Sequence, residues 1–271
     1  MDQKNNSTNS NYLTFGGHLE VFRRMLFRVL AVTLVLAIIV FCFKEQTFNI
    51  LMAPSHWDFI TYRWIEDIMK TFDSDFHFEQ FKVNMIATDL SSQFMTHITT
   101  ALYIGLLGAS PYVLYELFRF VSPALYDNER RYAVKIVTTI YVLFIIGVLL
   151  TYYILFPVSF RFLGTYSVSD EVVSNITLDS YVSTFTSLTL VMGLVFQLPV
   201  IAFFIARMGV ISSPMLSQYR KHAFIIIMFV AAIITPPDVM TLILVTGPLY
   251  LLYELSIKVV KCTQSNKYHN K

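Results

Sequence analysis

Six long apolar stretches run through this chain and constrain its fold more than any other feature. A transmembrane helix needs roughly 20 mostly apolar residues to cross a hydrocarbon core about 30 Å thick. The stretches are residues 26–43, 94–120, 134–156, 181–206, 223–235 and 239–257. Within each stretch the apolar residues surround the segment rather than alternating every second position, which favours helices over the strands of a membrane barrel. We therefore expect an all-α integral membrane protein with six transmembrane helices.

The amino-acid composition agrees with this expectation. Of the 271 residues, 55% are hydrophobic and only 14% are charged, whereas a soluble domain carries about 25% charged residues. Such a composition excludes a disordered chain, a coiled coil and a disulfide-rich secreted scaffold. It also argues against a cytosolic enzyme, whose surface needs more charge.

The last two stretches are shorter than the others and are separated by Pro236, Pro237 and Asp238. The 13 residues of 223–235 rise only about 20 Å along a helix. Either this helix includes flanking residues such as Tyr219 and His222, or the bilayer thins around it, at fractions of a kcal/mol per Å. A re-entrant hairpin buried within the protein is the alternative.

The distribution of Lys and Arg predicts the orientation in the membrane. With the N-terminus inside the cell, 15 of the 20 basic residues lie on the inner side of the predicted spans and 5 lie on the outer side. Acidic residues show the opposite distribution, with 6 inside and 12 outside. An even number of spans then places both termini in the cytoplasm.

The predicted spans divide the chain into a membrane domain and two tails. We expect a disordered cytoplasmic tail at 1–12, a six-helix membrane domain at 13–258 and a cytoplasmic tail at 259–271. The outer loop 44–93 is long and contains an aromatic and acidic insertion at about 56–81. Because aromatic side chains settle at the level of the lipid headgroups, this insertion is predicted to form a small interfacial cap.

Motifs for catalysis or cofactor binding are absent from the sequence. It contains no phosphate-binding G-x-x-x-x-G-K-[ST] loop, no H-E-x-x-H and no G-x-S-x-G, so we expect no ATP hydrolysis, catalytic residue, metal or cofactor. Binding of nucleic acid is not expected either. His97 in the second span is interpreted as a packing residue. A secondary transporter using His97, Glu116 and Gln197 and an intramembrane enzyme are the rival functions.

Two carboxylates lie among basic residues at the predicted inner interface. Glu20 precedes the first span, and Glu129 lies between the second and third spans, next to Arg130 and Arg131. Glu20 can form an ordinary ion pair with Arg24, four residues further along a helix, and Glu129 can pair with Arg130 or an adjacent loop. A binding site for a cationic ligand is the other interpretation.

Several ordered motifs resemble the TatC family, the multispanning component of the twin-arginine protein translocase. They are His18–Leu19 with Arg23, and the segments 85–89, 110–123, 129–131, 196–200 and 235–239. The resemblance covers roughly residues 13–258 and includes six spans. It implies a receptor in the bacterial cytoplasmic membrane that binds paired-arginine signal peptides of folded proteins and uses the proton-motive force. It also implies TatA- and TatB-type single-span partners, contact with the lipid bilayer and self-association.

The resemblance also implies roles for individual residues. Signal-peptide binding falls to Glu129, Glu20, Arg23, Arg130, Arg131 and Phe120. Gln197, a polar residue in the middle of the fourth span, is expected to dock partner subunits or to stabilise helix packing. Pro199 beside it is expected to bend this helix. Pro54, Asp89, Pro236 and Asp238 are expected to have structural roles at the outer face.

One position departs from the family pattern His-Leu-x-Glu-Leu-Arg. Val21 occupies the position of the family's glutamate, and Glu20 is one residue earlier. One residue corresponds to a rotation of about 100° around a helix. Glu20 is therefore interpreted either as a substitute for the family's carboxylate or as the ion-pair partner of Arg24.

Overall fold

The computed structural model describes residues 15–72, 81, 83–121, 133–167, 169 and 175–269, and most of this part is helical. The helices are α1 (Phe15–Cys42), α2 (Lys44–Met52), α3 (Ile60–Lys70), α4 (Ser92–Val121), α5 (Ala133–Leu150), α6 (Phe156–Thr165), α7 (Leu178–Val195), α8 (Leu198–Arg207), α9 (Ser213–Gln218), α10 (Arg220–Ile234) and α11 (Val239–His269). A 3-10 turn, Ala53–Ser55, follows α2. The prediction of an all-α protein is confirmed.

Five helical stretches are long and apolar enough to cross a membrane. They contain 24 to 30 residues and are Leu19–Cys42, Ser92–Phe120, Ile136–Thr165, Leu178–Arg207 and Val239–Gln264. They correspond to the first four predicted spans and to the sixth. The fifth predicted span lies in α10, which has only 15 residues, so the six-span topology and the cytoplasmic termini stay predictions.

The prediction that the last two spans are short is wrong for the last one. Helix α11 has 31 residues, and its apolar part reaches Gln264 rather than residue 257. It also continues through most of the segment 259–271, which was assigned to a tail. Hydropathy marks only the apolar part of a helix, and no glycine or proline follows Pro248 to stop this one.

The third span is a broken helix. Residues Thr151–Leu155 form a π-helical turn between α5 and α6, and Pro157 lies in the first turn of α6. Because proline has no amide hydrogen, the carbonyl four residues earlier, that of Tyr153, cannot accept the usual α-helical hydrogen bond. The hydroxyl of Thr61 on α3 donates to this carbonyl.

The fourth span is also broken, close to the predicted bend at Pro199. Helix α7 ends at Val195 and α8 begins at Leu198, with Pro199 in its first turn. Both broken spans border the main core. Its buried side chains come from α2, α6, α7, α10 and α11 and from the π turn, and include Leu51, Leu155, Phe156, Tyr181, Leu188, Met192, Ala231, Val245 and Leu249.

The outer loop and the loop before α7 meet in a small parallel strand pair. Strand β1 (Asn84–Ile86) aligns with β2 (Asn175–Thr177), with Met85 opposite Ile176. The insertion contributes α3, from which Tyr62 is buried against the bundle. The Tyr62 hydroxyl lies 3.0 Å from the Pro54 carbonyl and 2.9 Å from that of Pro157. Burial raises the pKa of Tyr62, so this hydroxyl stays protonated and remains a donor.

Candidate functional site at the basic end of α1 and α4

Helices α1 and α4 lie side by side because a glycine allows their backbones to approach closely. A Cβ added to Gly105 on α4 would lie 2.7 Å from the backbone nitrogen of Ala37 on α1. At one end of this pair the rings of Phe22 and Phe120 are 5.6 Å apart. The early turns of α1 therefore lie beside the last turns of α4. We call this region, with Glu20, Phe22, Arg23, Arg24 and Arg28 of α1 and Tyr112, Glu116, Arg119 and Phe120 of α4, the α1–α4 basic end.

Glu20 already has two arginine partners within the chain. Its Oε1 accepts hydrogen bonds from Arg23 Nη2 and Arg24 Nε, both at 3.0 Å. All three side chains are substantially exposed, from 40% for Glu20 to 67% for Arg24. The predicted ion pair with Arg24 is therefore present, and Arg23 shares it. Exposed pairs of this kind contribute little to stability, about 0–1 kcal/mol.

Glu116 is a buried carboxylate that the sequence reasoning did not assign to this site. Its side chain is only 6% exposed and lies 3.1 Å from Arg28 Nη1 and 3.8 Å from Arg119 Nη1. The Tyr112 hydroxyl donates to the same Oε1 at 3.1 Å. A carboxylate inside an apolar stretch is costly unless it is paired. Both residues lie inside predicted spans, but they are 88 positions apart, so the sequence shows two isolated charges and not the pair.

The predicted site residues on the loop between the second and third spans lie outside the described residues. These are Glu129, Arg130 and Arg131. The described part of α4 ends at Val121, next to Phe120. The segment that carries Glu129 therefore continues directly from the α1–α4 basic end in sequence.

Gln197 lies at the break between α7 and α8 and is buried, with 8% of its surface exposed. Its Nε2 lies 3.1 Å from the carbonyl of Ile140 on α5 and 3.4 Å from that of Gly193. Its Oε1 is also buried and has no hydrogen-bond partner within the described residues. The two Nε2 contacts fit the expected role in helix packing. The Oε1 acceptor fits the other expected role, docking of a partner subunit.

His97 and Glu116, two of the three residues in the transporter hypothesis, lie far apart on α4. The His97 ring stacks on Phe41 with 4.1 Å between the ring centroids, which matches its interpretation as a packing residue. On α4 it lies 19 positions before Glu116, a separation of about 28 Å along the helix axis. The third residue, Gln197, lies on a different span, at the break between α7 and α8.

The residues predicted to be structural at the outer face lie near helix ends. The Asp238 Oδ1 accepts a hydrogen bond from the Thr241 amide at 2.6 Å, so it caps the start of α11. Pro236 precedes it, and the Asp89 carbonyl accepts from the Ser92 amide at 3.1 Å at the start of α4. Pro54 is buried.

Among the described residues no group of three or more His, Cys, Asp and Glu could hold a metal ion.

Comparison with known proteins identifies the family. A family model described as "Sec-independent protein translocase protein (TatC)" matches residues 17–248. The chain belongs to the TatC family. The TatC of Blattabacterium sp. subsp. Periplaneta americana is 34% identical over 253 residues, which cover 92% of this chain and 95% of that protein. The TatC of Campylobacter jejuni is 30% identical over 244 residues, with coverages of 90% and 92%.

Solved structures of the family have the same fold. A crystal structure described as the twin arginine translocase receptor TatC matches with a TM-score of 0.72 at 29% identity. The match covers 91% of this chain and 99% of that one. A second crystal structure of TatC, in the detergent DDM, matches with a TM-score of 0.70.

Family membership decides between the functions considered above. A TatC protein is a multi-pass membrane component of the Sec-independent, twin-arginine protein translocase and is not an enzyme. This confirms the resemblance read from the sequence motifs. The secondary transporter and the intramembrane enzyme are therefore set aside.

Proposed function

We propose that this TatC protein binds paired-arginine signal peptides at the α1–α4 basic end, on the cytoplasmic side of a bacterial inner membrane. The bound precursors are folded proteins, TatA- and TatB-type subunits are its partners, and the proton-motive force drives transport. The observation that carries the proposal is the contact between Phe22 and Phe120. This contact places the arginine-rich start of α1 beside the point from which the Glu129 segment begins.

The chemistry of arginine explains why a carboxylate is needed. A guanidinium stays protonated and presents planar, paired donors, which match the two oxygens of a carboxylate. At the α1–α4 basic end, Glu20 already accepts from Arg23 and Arg24, and Glu116 is held by Arg28. Glu129 is therefore the carboxylate to test first. Arg130 and Arg131 are proposed to line the same site, as the family motif implies.

A charge-neutral substitution tests the role of Glu129. A hydrogen bond to a charged group contributes about 1.5–3 kcal/mol, so Glu129→Gln should weaken binding of a paired-arginine signal peptide roughly 10- to 150-fold. Binding is measured by fluorescence anisotropy with the purified chain in nanodiscs. A peptide with both arginines replaced by lysine should bind the wild-type chain more weakly, and the variant should lose much of this preference.

The matched control is Asp127→Asn, which removes one negative charge from the same segment. It should leave binding within about threefold of the wild type, because the carboxylate that binds arginine is still present. Equal losses for both variants would mean that general charge attraction, rather than Glu129 itself, recognises the peptide. Unchanged binding for Glu129→Gln would disprove the assignment.

Gln197 is proposed to dock a single-span partner subunit in the membrane. A buried amide oxygen without a partner is costly in an apolar surrounding, and a donor from a neighbouring helix would satisfy it. Gln197→Leu keeps the side-chain volume but removes this acceptor. It should reduce co-purification of TatA- and TatB-type partners at least about threefold, because a membrane hydrogen bond contributes about 0.6–2 kcal/mol.

Signal-peptide binding should remain unchanged in Gln197→Leu, because the hydrogen bonds of Gln197 go to Ile140 and Gly193 and not to the residues of the α1–α4 basic end. Gln264→Leu is the control, since Gln264 is an amide near the end of α11 whose hydrogen-bond partners among the described residues are Ser213 and Ile211. If Gln197→Leu recruits partners normally, the residue serves helix packing alone.

A further inference from the structure

Helix α3 of the insertion carries an exposed apolar stripe along one side. Ile60, Trp64 and Ile68 follow each other at intervals of four residues, and Trp57 and Phe72 extend the stripe beyond the two ends of the helix. Their exposed fractions are 41% for Ile60, 53% for Trp64, 60% for Ile68, 52% for Trp57 and 85% for Phe72. We call these five residues the α3 stripe.

The same helix is anchored to the bundle through other side chains. Thr61 donates to the Tyr153 carbonyl, and Tyr62 is buried with its hydroxyl between two proline carbonyls. The guanidinium of Arg161 lies over the ring of Tyr62, 5.5 Å from its centroid. Because these contacts fix the rotation of α3, the helix cannot turn to bury the α3 stripe against the bundle.

The charged residues of α3 lie beside the α3 stripe. Arg63, Glu66, Asp67 and Lys70 occupy the remaining side of the helix, and Lys70 pairs with Glu66 at 2.7 Å. An apolar side with tryptophan beside a charged side with lysine and arginine is typical of a helix that lies in the plane of a membrane surface. Tryptophan in particular prefers the level of the headgroups.

We infer that α3 is an interfacial helix whose stripe inserts into the lipid headgroup region on its side of the membrane. The protein spans the bilayer, so lipid is present at the ends of its helices. The apolar surface of α2 lies nearby: Ile50 is 63% exposed, and its carbonyl accepts from Tyr152, which contacts Phe59 just before α3. A protein partner fits less well, because five partly exposed side chains offer less than the roughly 800 Å² that each partner contributes to a stable interface.

The insertion thus contacts both the bilayer surface and the break in the third span. One side of α3 holds the π turn through Thr61 and Tyr153, and the α3 stripe fixes the depth of the same helix in the membrane. The lipid contact therefore helps to hold the Thr61 hydroxyl on the Tyr153 carbonyl, to which Pro157 cannot donate.

The two tryptophans make a direct test possible, because Trp57 and Trp64 are the only tryptophans in the chain. The full-length protein is reconstituted into phosphatidylcholine and phosphatidylglycerol vesicles, and its tryptophan emission is recorded. Lipids brominated near the headgroup end of the acyl chain should quench about half of the emission or more, and lipids brominated near the bilayer centre should quench less. Aqueous iodide should quench the protein several-fold less than free tryptophan.

Single-tryptophan variants assign the signal without disturbing the fold. Trp57→Phe and Trp64→Phe keep an aromatic ring at each position, and a thermal unfolding scan confirms that each variant is folded. Strong quenching by iodide with none by brominated lipid would place the α3 stripe in water and overturn the inference. Protection from both quenchers would place the stripe against protein, such as a second copy of the chain, and would overturn it as well. Neither result depends on signal-peptide binding.

Discussion

At the scale of single residues, the two described carboxylates of the α1–α4 basic end differ in their surroundings. Glu20 is exposed and shares two exposed arginines, whereas Glu116 is almost fully buried and has Arg28 as its closest cation. Loss of a partner therefore has different consequences at the two sites. An exposed carboxylate regains water, but a buried one stays desolvated.

Replacing Arg28 with methionine should destabilise the protein by about 1–3 kcal/mol, because it leaves the buried Glu116 carboxylate with weaker partners. Arg24→Met, one turn earlier on α1, should cost less than about 1 kcal/mol because the Glu20 pair is exposed. Both are measured by thermal or denaturant unfolding in the same detergent.

The double variant Arg28→Met/Glu116→Gln should recover part of the stability lost in Arg28→Met, since it removes the unpaired charge. If the double variant is less stable than the wild type by the sum of the losses in Arg28→Met and Glu116→Gln, the two residues do not interact.

At the scale of elements, close packing of α1 against α4 forms the site, and breaks in two spans shape the rest of the bundle. Small residues allow membrane helices to approach each other closely. Gly105 lies at such an approach, whereas Gly108 on the same helix has only one side-chain atom, Leu36 Cδ1 at 3.7 Å, near the position of an added Cβ. The two glycines therefore form a matched pair for a test of helix packing.

Gly105→Ala should lower stability by about 1–3 kcal/mol, because its new methyl group would overlap the backbone of Ala37, which cannot move aside as a side chain can. Gly108→Ala should be neutral or slightly stabilising, since an added methyl meets only ordinary contact and alanine favours the helix. Unfolding in detergent measures both variants. Equal effects would contradict the role of the Gly105 contact.

The Gly105 variant should also weaken signal-peptide binding, because separation of the two helices moves Phe22 from Phe120. A binding loss in Gly108→Ala of the same size would instead point to a general effect of substitution in α4.

At the scale of the whole molecule, the parallel pairing of β1 with β2 brings together the two loops that were predicted to lie on the same outer side. In the predicted topology the chain is on the outer side of the membrane before α4 and again before α7, which is compatible with this pairing. The chain has six spans if α10 crosses the membrane and five if it does not. With 15 residues, α10 rises about 22 Å, less than the hydrocarbon core.

The two native cysteines, Cys42 and Cys262, are both exposed and allow the topology to be tested. With six spans, a membrane-impermeant maleimide should label Cys262 in a Cys42→Ser variant only after the cells are permeabilised. A cysteine-free chain with Ser167→Cys, in the exposed loop after α6, should react in intact cells. Labelling of Cys262 from outside would mean that α10 does not cross the membrane.

Much of the fold was predictable because hydropathy is a local property. The apolar stretches identified the helical class, and Pro199 predicted the bend in the fourth span. The end of α11 was not predictable from hydropathy, because polar residues such as Gln264 extend the helix and bond to Ser213 and Ile211. The π turn was not predicted either. The donor to its Tyr153 carbonyl is Thr61, about 90 residues away in sequence.

The candidate site was predictable only in part. Glu20 and Glu129 were recognised from their basic surroundings and from the family motif, and Glu129 remains a prediction. Glu116 was considered only for a transport path, because its partner Arg28 is 88 positions away in sequence. No local pattern reports a contact across that distance.

By itself the sequence determined that this chain is a helical membrane protein of the TatC family, since both conclusions depend on residues that are neighbours along the chain. The tertiary structure decided which charges are paired, where Thr61 donates, and that the α3 stripe faces outward. Those outcomes depend on distances between helices, and such distances are set by packing contacts such as Gly105 against Ala37. Hydropathy and motif spacing contain no information on them.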